Sequence, residues 1–318
     1  MSIQDLQHSG FTPSRLAMGC EQLGGIDWGT FDHNLARRAV ESALDSGITV
    51  FDTADVYGLG KGEEELSKAL GTYRHKAFII TKFGVRWQPI EKHKRAKTFR
   101  DSSPTYLRDA LEGSLRRLRV DSIPLYLVHW PDSKTLLEDT LAALEKLRTC
   151  GKILNYGLSN FAATAVSVAA RSFPLSAFVG HYNLVHRAKC ESVFRATHYP
   201  RMARISYGPL AQGLLTGKYN IHSRFRRNDR RSMLPHFARE RWANNARILN
   251  KLREIASRHK KTISQAAIRW VLDCSFIDIV IAGAKTPDQV RSNVGALNWI
   301  LSSEEVKELD DISLNVDE

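Results

Sequence analysis

The chain has 318 residues, 43% of them hydrophobic, with a formal net charge of +12 and a sequence pI near 9.6. That length supports one large core, a single domain over 1–318, and no apolar run reaches the 18 residues a membrane helix needs. The polar N-terminus lacks a signal-type apolar region, and Cys20, Cys150, Cys190 and Cys274 form no CxxC pair or metal-ligand spacing, so reduced thiols and a cytoplasmic location are expected.

Short apolar runs recur at 16–20, 48–51, 77–81, 125–129, 153–159, 177–182, 203–207 and 277–282. Amphipathic segments separate them at 35–46, 63–70, 105–118, 136–150, 162–171, 190–197 and 238–259, with a further helix at 264–273 and a last one at 289–298. Strands alternating with helices predict a parallel sheet, and eight βα units in this length predict a closed (β/α)8 barrel, with an open doubly wound sheet as the alternative. Two long connections, 86–103 after the third strand and 217–236 after the seventh, fall on the rim that carries active sites in such barrels.

Polar residues end several of these strands. Asp52 closes the run 48–51 and Tyr57 follows on a glycine-rich turn; Lys82 ends the third strand, His129 the fourth, and Ser159 and Asn160 the fifth. Each alone has a plainer reading: Asp52 as a cap, Lys82 as a snorkelling lysine, His129 as a helix-start residue. Together at corresponding strand ends they make a proton-handling set. A phenol with a reference pKa of about 10 exchanges its proton poorly at neutral pH. Lys82 is expected to lower the Tyr57 pKa, Asp52 to hold the ammonium, and His129 to orient a substrate oxygen. Such a set suits protonation of an oxygen on which charge develops, as when a carbonyl accepts hydride from a cofactor. Gly58-Leu-Gly60-Lys-Gly62 misses the dinucleotide fingerprint, and residues 213–219 miss the phosphate-loop spacing. His181, His186 and His198 match no standard metal-ligand spacing, and no metal is expected.

The ordered set Phe51-Asp52-Thr53-Ala54-Asp55-Val56-Tyr57-Gly58, Thr81-Lys82-Phe83-Gly84, Leu125-Tyr126-Leu127-Val128-His129-Trp130-Pro131-Asp132, Gly157-Leu158-Ser159-Asn160-Phe161, Tyr207-Gly208-Pro209-Leu210 and Gly283-Ala284-Lys285-Thr286-Pro287 resembles the aldo-keto reductase family over nearly the whole chain. The resemblance implies a barrel that binds NADP(H) or NAD(H), with Tyr57 as proton donor, Asp52 and Lys82 as its partners and His129 as substrate orienter. It implies Ser159 and Asn160 on the nicotinamide carboxamide and Tyr207 stacked on the ring. Leu210 and the segment from Gly213 to Lys218 would follow the pyrophosphate. Gly283, Lys285, Thr286, Gln289 and Asn293 would hold the adenosine end. The chain departs from the family's pattern at His181, where Gln is usual as a carboxamide partner, at Gly208, where Ser is common, and at Ser292, where Glu is common. Lys285 favours NADP(H) over NAD(H), since a cation there would meet a 2′-phosphate. Trp28, Trp87 and Trp130 are candidates for the substrate pocket.

The charge is concentrated. Segment 86–103 sets Arg86, Lys92, Lys94, Arg95, Lys97 and Arg100 against Glu91 and Asp101, and segment 222–231 sets Arg224, Arg226, Arg227, Arg230 and Arg231 against Asp229, each a net +4 of the total +12. Both lie on the expected catalytic rim, where such a field gathers anions, so an anionic carbonyl substrate such as a phosphorylated sugar is expected. The leading function is reduction of an aldehyde or ketone. Oxidation of an aldose, or a cofactor-holding regulatory subunit with little turnover, are the alternatives. No helix-turn-helix, zinc or RNP pattern supports a nucleic-acid partner.

Overall fold

The computed structural model describes residues 13–26, 32–88, 96–196, 202–226 and 229–313, without the side chains of 188–190. In chain order the elements are β1 (Leu16–Gly19), α1 (His33–Asp45), β2 (Val50–Asp52), α2 (Lys61–Leu70), β3 (Phe78–Phe83), β4 (Val85–Trp87), β5 (Thr98–Arg100), α3 (Pro104–Leu118), β6 (Leu125–Val128), α4 (Leu137–Thr149), β7 (Tyr156–Ser159), α5 (Ala163–Ser172), β8 (Ala177–His181), α6 (Ala188–Ala196), β9 (Ala203–Tyr207), α7 (Trp242–Arg258), α8 (Ile263–Asp273), β10 (Ile279–Gly283), α9 (Pro287–Val294) and α10 (Ser303–Ser313). Eight strands close a parallel barrel in the order β1-β10-β9-β8-β7-β6-β3-β2.

Strand parity organises this barrel. Side chains alternate between the two faces of a strand. Ala17, Val50, Phe78, Ile80, Leu125, Leu127, Ala177, Val179, Ala203, Ile205, Ile279 and Ile281 form one buried cluster that fills the lumen. Their neighbours Met18, Phe51, Ile79, Tyr126, Leu158 and Phe178 join the second cluster, packed under the helices. Each fully buried Leu, Ile or Phe contributes about 1.5–3 kcal/mol, so a one-residue slip in register is strongly opposed.

Helix ends follow their local chemistry. The Asp32 carboxylate accepts from Asn34 N at 2.8 Å to start α1, Ser103 caps α3 ahead of Pro104, and Thr262 with Gln265 forms a capping box on α8. The sequence reading does not anticipate α10, and three further features differ from it. The expected helix over 238–259 begins only at Trp242, because short 3-10 turns occupy Pro235–Phe237 and Arg239–Arg241. The last expected helix, 289–298, runs instead from Pro287 to Val294, since Thr286 is its N-cap and Pro287 fits the first turn. The connection after β3 is partly ordered as the antiparallel β4–β5 hairpin.

Candidate active site

Parity also decides what reaches the barrel mouth. Asp52 lies two residues beyond Val50, Lys82 two beyond Ile80 and His129 two beyond Leu127, so all three stand on the lumen side above the apolar layer. The strand tips are laced together: Asp55 N donates to Lys82 O at 3.1 Å, and His129 N to Phe83 O at 2.8 Å.

Lys82 Nζ donates to Asp52 Oδ1 at 2.5 Å and to Thr53 O at 2.8 Å, and both side chains are buried. The same ammonium lies 5.3 Å from the centre of the Tyr57 ring. The Tyr57 and His129 rings meet edge to face at 5.8 Å. Gly58, at φ +60, lets the turn after Tyr57 press on the backbone of Gly24; a Cβ at 58 would come within 2.3 Å of Gly24 O. Tyr57 is thereby held between the turn after β1 and the tip of β3.

The electrostatics correct one expectation. The Tyr57 phenol is pushed well above its ordinary value, by burial first and then by Glu21 and Asp52, with Arg230 opposing. Burial outweighs any help from Lys82, whose ammonium is closed on Asp52. Tyr57 therefore keeps its proton. His129 is driven the other way: burial, then Lys82, Arg230 and Arg100, hold its pKa well below that of an ordinary imidazole. It is neutral, and its Nδ1 is buried without a partner among the described residues.

The next strands continue the pattern. Ser159 is buried at the end of β7, and Asn160 follows in the left-handed region at φ +65. Asn160 Nδ2 donates to His129 O at 3.1 Å and to Ser159 Oγ at 3.0 Å, while its Oδ1 accepts from Tyr207 Oη at 2.8 Å. His181 stacks on Tyr207 at 5.0 Å and lies 4.9 Å from His186, whose Nε2 meets His236 Nδ1 at 3.1 Å. Sequence reading named His181 and His186 but could not foresee that His236 joins them, since it comes from a distant turn.

A second set gathers beyond β9. Lys285 is half-buried, and its pKa is lowered by burial, then by Arg231, with Asp229 opposing and Lys218 adding to the fall. Asp229 grips Arg231, whose guanidinium packs against the rings of Tyr219 and Phe225. Gly213 takes the left-handed conformation at φ +96, where a Cβ would stand 3.3 Å from the Tyr219 ring and in ordinary contact with Lys218. At α9, Gln289 Oε1 accepts from Lys285 N at 2.7 Å, Thr286 Oγ1 accepts from Gln289 N at 3.3 Å, and buried Asn293 donates to Gly283 O at 3.4 Å. Leu210 precedes a 3-10 turn over Ala211–Thr216 in which Gln212 Oε1 is buried and unpartnered among the described residues. Three cations gathered around one carboxylate fit a phosphate-bearing cofactor. Arg231 is one of the three, and the sequence reading counted it only as rim charge.

Of the tryptophans, Trp130 lies beside His129 at 6.2 Å with the Arg100 guanidinium 5.0 Å from its ring centre. Trp87 lines a groove of about 220 Å³ with Asp55, Arg86, Tyr106 and Arg116, on the α3 side of the barrel. Trp28 lies outside the described residues, as do Lys92, Lys94, Arg95 and Arg227 of the basic segments and His198. Arg230, paired with Glu21 at 3.4 Å, and Arg100 both act on His129, so the two basic segments each place a guanidinium near the Tyr57–His129 pair.

The model of the aldo/keto reductase family matches residues 15–314. The chain belongs to that family. It is 33% identical to the aldo-keto reductase YhdN of Bacillus subtilis (strain 168), over 99% of this chain and 94% of that protein. It is 30% identical to the aldo-keto reductase yakc [NADP(+)] of Schizosaccharomyces pombe, over 97% and 91%. Among solved structures, the glycerol dehydrogenase AKR11B4 of Gluconobacter oxydans superposes with a TM-score of 0.87 at 36% identity, covering 95% of this chain and 92% of that one. This aldo-keto reductase is an oxidoreductase, and its family uses nicotinamide cofactors. No helix among the described residues is long and apolar enough to cross a membrane.

Proposed function

We propose that this aldo-keto reductase reduces an aldehyde or ketone with NADP(H), Tyr57 delivering the proton. The observation that carries the reading is a phenol set edge to face against an imidazole and beside a closed, buried Lys82–Asp52 pair, with burial raising the phenol's pKa and lowering the imidazole's. When bound, the reduced nicotinamide supplies the hydride. The Tyr57 hydroxyl gives its proton to the carbonyl oxygen as negative charge grows there. His129, neutral, donates a hydrogen bond to the same oxygen and sets its direction. Lys82 then stabilises the phenolate left behind, a state in which its positive charge matters more than in the resting enzyme. Ser159, Asn160, His181 and Tyr207 form the seat for the nicotinamide. Leu210, Gly208 and Gly213 to Lys218 face the pyrophosphate, and Gly283, Lys285, Thr286, Gln289 and Asn293 take the adenosine. Lys285, Lys218 and Arg231 would share the 2′-phosphate, which favours NADP(H) over NAD(H).

The substrate side carries Arg100 and Arg230, which favours a carbonyl compound with an anionic group, Trp130 forming one wall. A second reading, oxidation of a polyol, is favoured by the likeness to the glycerol dehydrogenase of Gluconobacter oxydans. It uses the same groups in reverse, with Tyr57 taking the proton.

One experiment tests both parts. Tyr57→Phe is assayed with a neutral aldehyde and its phosphorylated analogue, and polyol oxidation is followed in parallel. General acid catalysis contributes about 10²–10⁴ in rate, so kcat should fall by that much in either direction while NADPH still quenches tryptophan fluorescence. A variant with full turnover would remove Tyr57 as the acid. Equal kcat/KM of the wild type for the two aldehydes would remove the anion preference.

A further inference from the structure

Asn183 is fully buried just beyond β8. Its Oδ1 accepts from Val185 N at 2.9 Å and from His186 N at 3.0 Å. Two backbone N–H groups on one atom identify that atom as the oxygen, so the other end of the amide is the nitrogen. Nδ2 donates to Gly208 O at 2.8 Å and faces His181 Nε2 at 3.2 Å. An amide nitrogen only donates. His181 Nε2 therefore accepts, and the proton of the neutral ring resides on Nδ1. Nδ1 makes no hydrogen bond to a described residue. The ring has little room to turn. It stacks on Tyr207, and Gly208, at φ +71, leaves it the space: a Cβ at 208 would lie 2.7 Å from both Cδ2 and Nε2 of His181.

We infer that Asn183 is a positioning residue that fixes the tautomer of His181, presenting Nδ1–H as the ring's one donor, and that Gly208 is the residue this arrangement requires. The inference deepens the reading of His181 as part of the nicotinamide seat. A glutamine offers a carboxamide both a donor and an acceptor, whereas this imidazole offers a donor alone. It therefore selects the carboxamide oxygen rather than its NH2 group, and so one of the two orientations of the amide. The departures at positions 181 and 208 become a single change: the wider flat ring needs a partner without a side chain.

The groups facing His181 are Tyr207 on β9, His186 on its own connection and, behind His186, His236 from the Pro235–Phe237 turn. Burial, then His186 and His236, push His181 down to about 3, so the ring is neutral from pH 5 to 8.

The test is Asn183→Asp in protein labelled with ¹⁵N-histidine, without cofactor. Aspartate retains an oxygen for Val185 and His186 but sets an acceptor against Nε2. Long-range ¹H–¹⁵N spectra of the wild type, with His181→Gln to assign the signal, should show Nδ1 protonated and Nε2 bare, unchanged from pH 5 to 8. In Asn183→Asp the proton should move to Nε2, or both nitrogens should carry one within that range. A wild type protonated on Nε2, or a folded variant with an unmoved tautomer, overturns the inference.

Gly208→Ala supplies a second arm. It should weaken NADPH binding about tenfold in the wild type and less than twofold in a His181→Ala background, since the coupling between touching groups disappears with one of them. Equal losses in both backgrounds would leave only the cost of φ +71 and would overturn the role of Gly208. If instead NADPH leaves the His181 signals unmoved while the tautomer is as stated, it is the nicotinamide-seat reading that fails.

Discussion

The floor beneath Tyr57 and the rim around Lys285 both hold charges, but under opposite conditions. On the floor, Lys82 and Asp52 are 3% and 7% exposed at their side chains and cancel one another at 2.5 Å. On the rim, Lys285, Lys218 and Arg231 gather around the Asp229 carboxylate and remain in reach of solvent. The floor is dry, neutral overall and fixed, so it can hold a phenol protonated and an imidazole uncharged. The rim carries surplus positive charge in a wet setting, so it can attract a phosphate and release it. Chemistry and recognition are separated by dielectric as much as by distance.

The largest effect that would break this contrast is Lys82→Met. It leaves the Asp52 carboxylate buried without its partner, and such a loss costs about 3–5 kcal/mol. Urea unfolding should show that drop, with much of it recovered in Lys82→Met combined with Asp52→Asn. A drop under about 1 kcal/mol would mean that the pair is as wet as a surface bridge.

Acid sharpens the contrast on the interior side. His129, His181 and His236 are all lowered by burial, His181 to about 3 and His236 to about 4. Below the unfolded value near 6.5 the unfolded chain binds protons that the folded one refuses, so stability falls as pH falls from 6.5. Each group contributes a slope of about 1.4 kcal/mol per pH unit until its folded value is reached, so the three together approach about 4 kcal/mol per unit between pH 6 and 5. Unfolding curves at pH 7, 6 and 5, in low and high salt, measure this. A flat profile would place the histidines in water.

The smallest of the three effects belongs to the rim. A charge-assisted hydrogen bond contributes about 1.5–3 kcal/mol, so Lys285→Ala should raise the NADPH Kd about tenfold or more and leave NADH within about twofold. The difference should shrink as salt rises, because the site is partly exposed. Equal losses for both cofactors would move the 2′-phosphate elsewhere.

Much of the site was legible because barrels place alternate residues of each strand at the mouth. Asp52, Lys82, His129 and Ser159 stand at or just beyond the ends of apolar runs, which sequence neighbours alone reveal, whereas His181 and Tyr207 entered only through the family resemblance. The helix boundaries near 238 and 287 were less so, since they turn on the proline-led turn at Pro235 and on Thr286 as N-cap. Arg231 was visible as a charge but not as a companion of Lys285, and nothing local joins His236 to His186.

The sequence by itself determined the alternation of strands and helices and the polar residues at the strand ends, and thus which of them share the barrel mouth. Only the tertiary structure decided their partners and surroundings: that Asp52 closes on Lys82, that burial raises the Tyr57 phenol, that the Asn183 amide faces His181 Nε2, and that Arg231 lies near Lys285. The physical reason is range. Periodicity is a property of adjacent residues, whereas the field at a buried atom sums charges and dipoles that the fold brings in from distant parts of the chain.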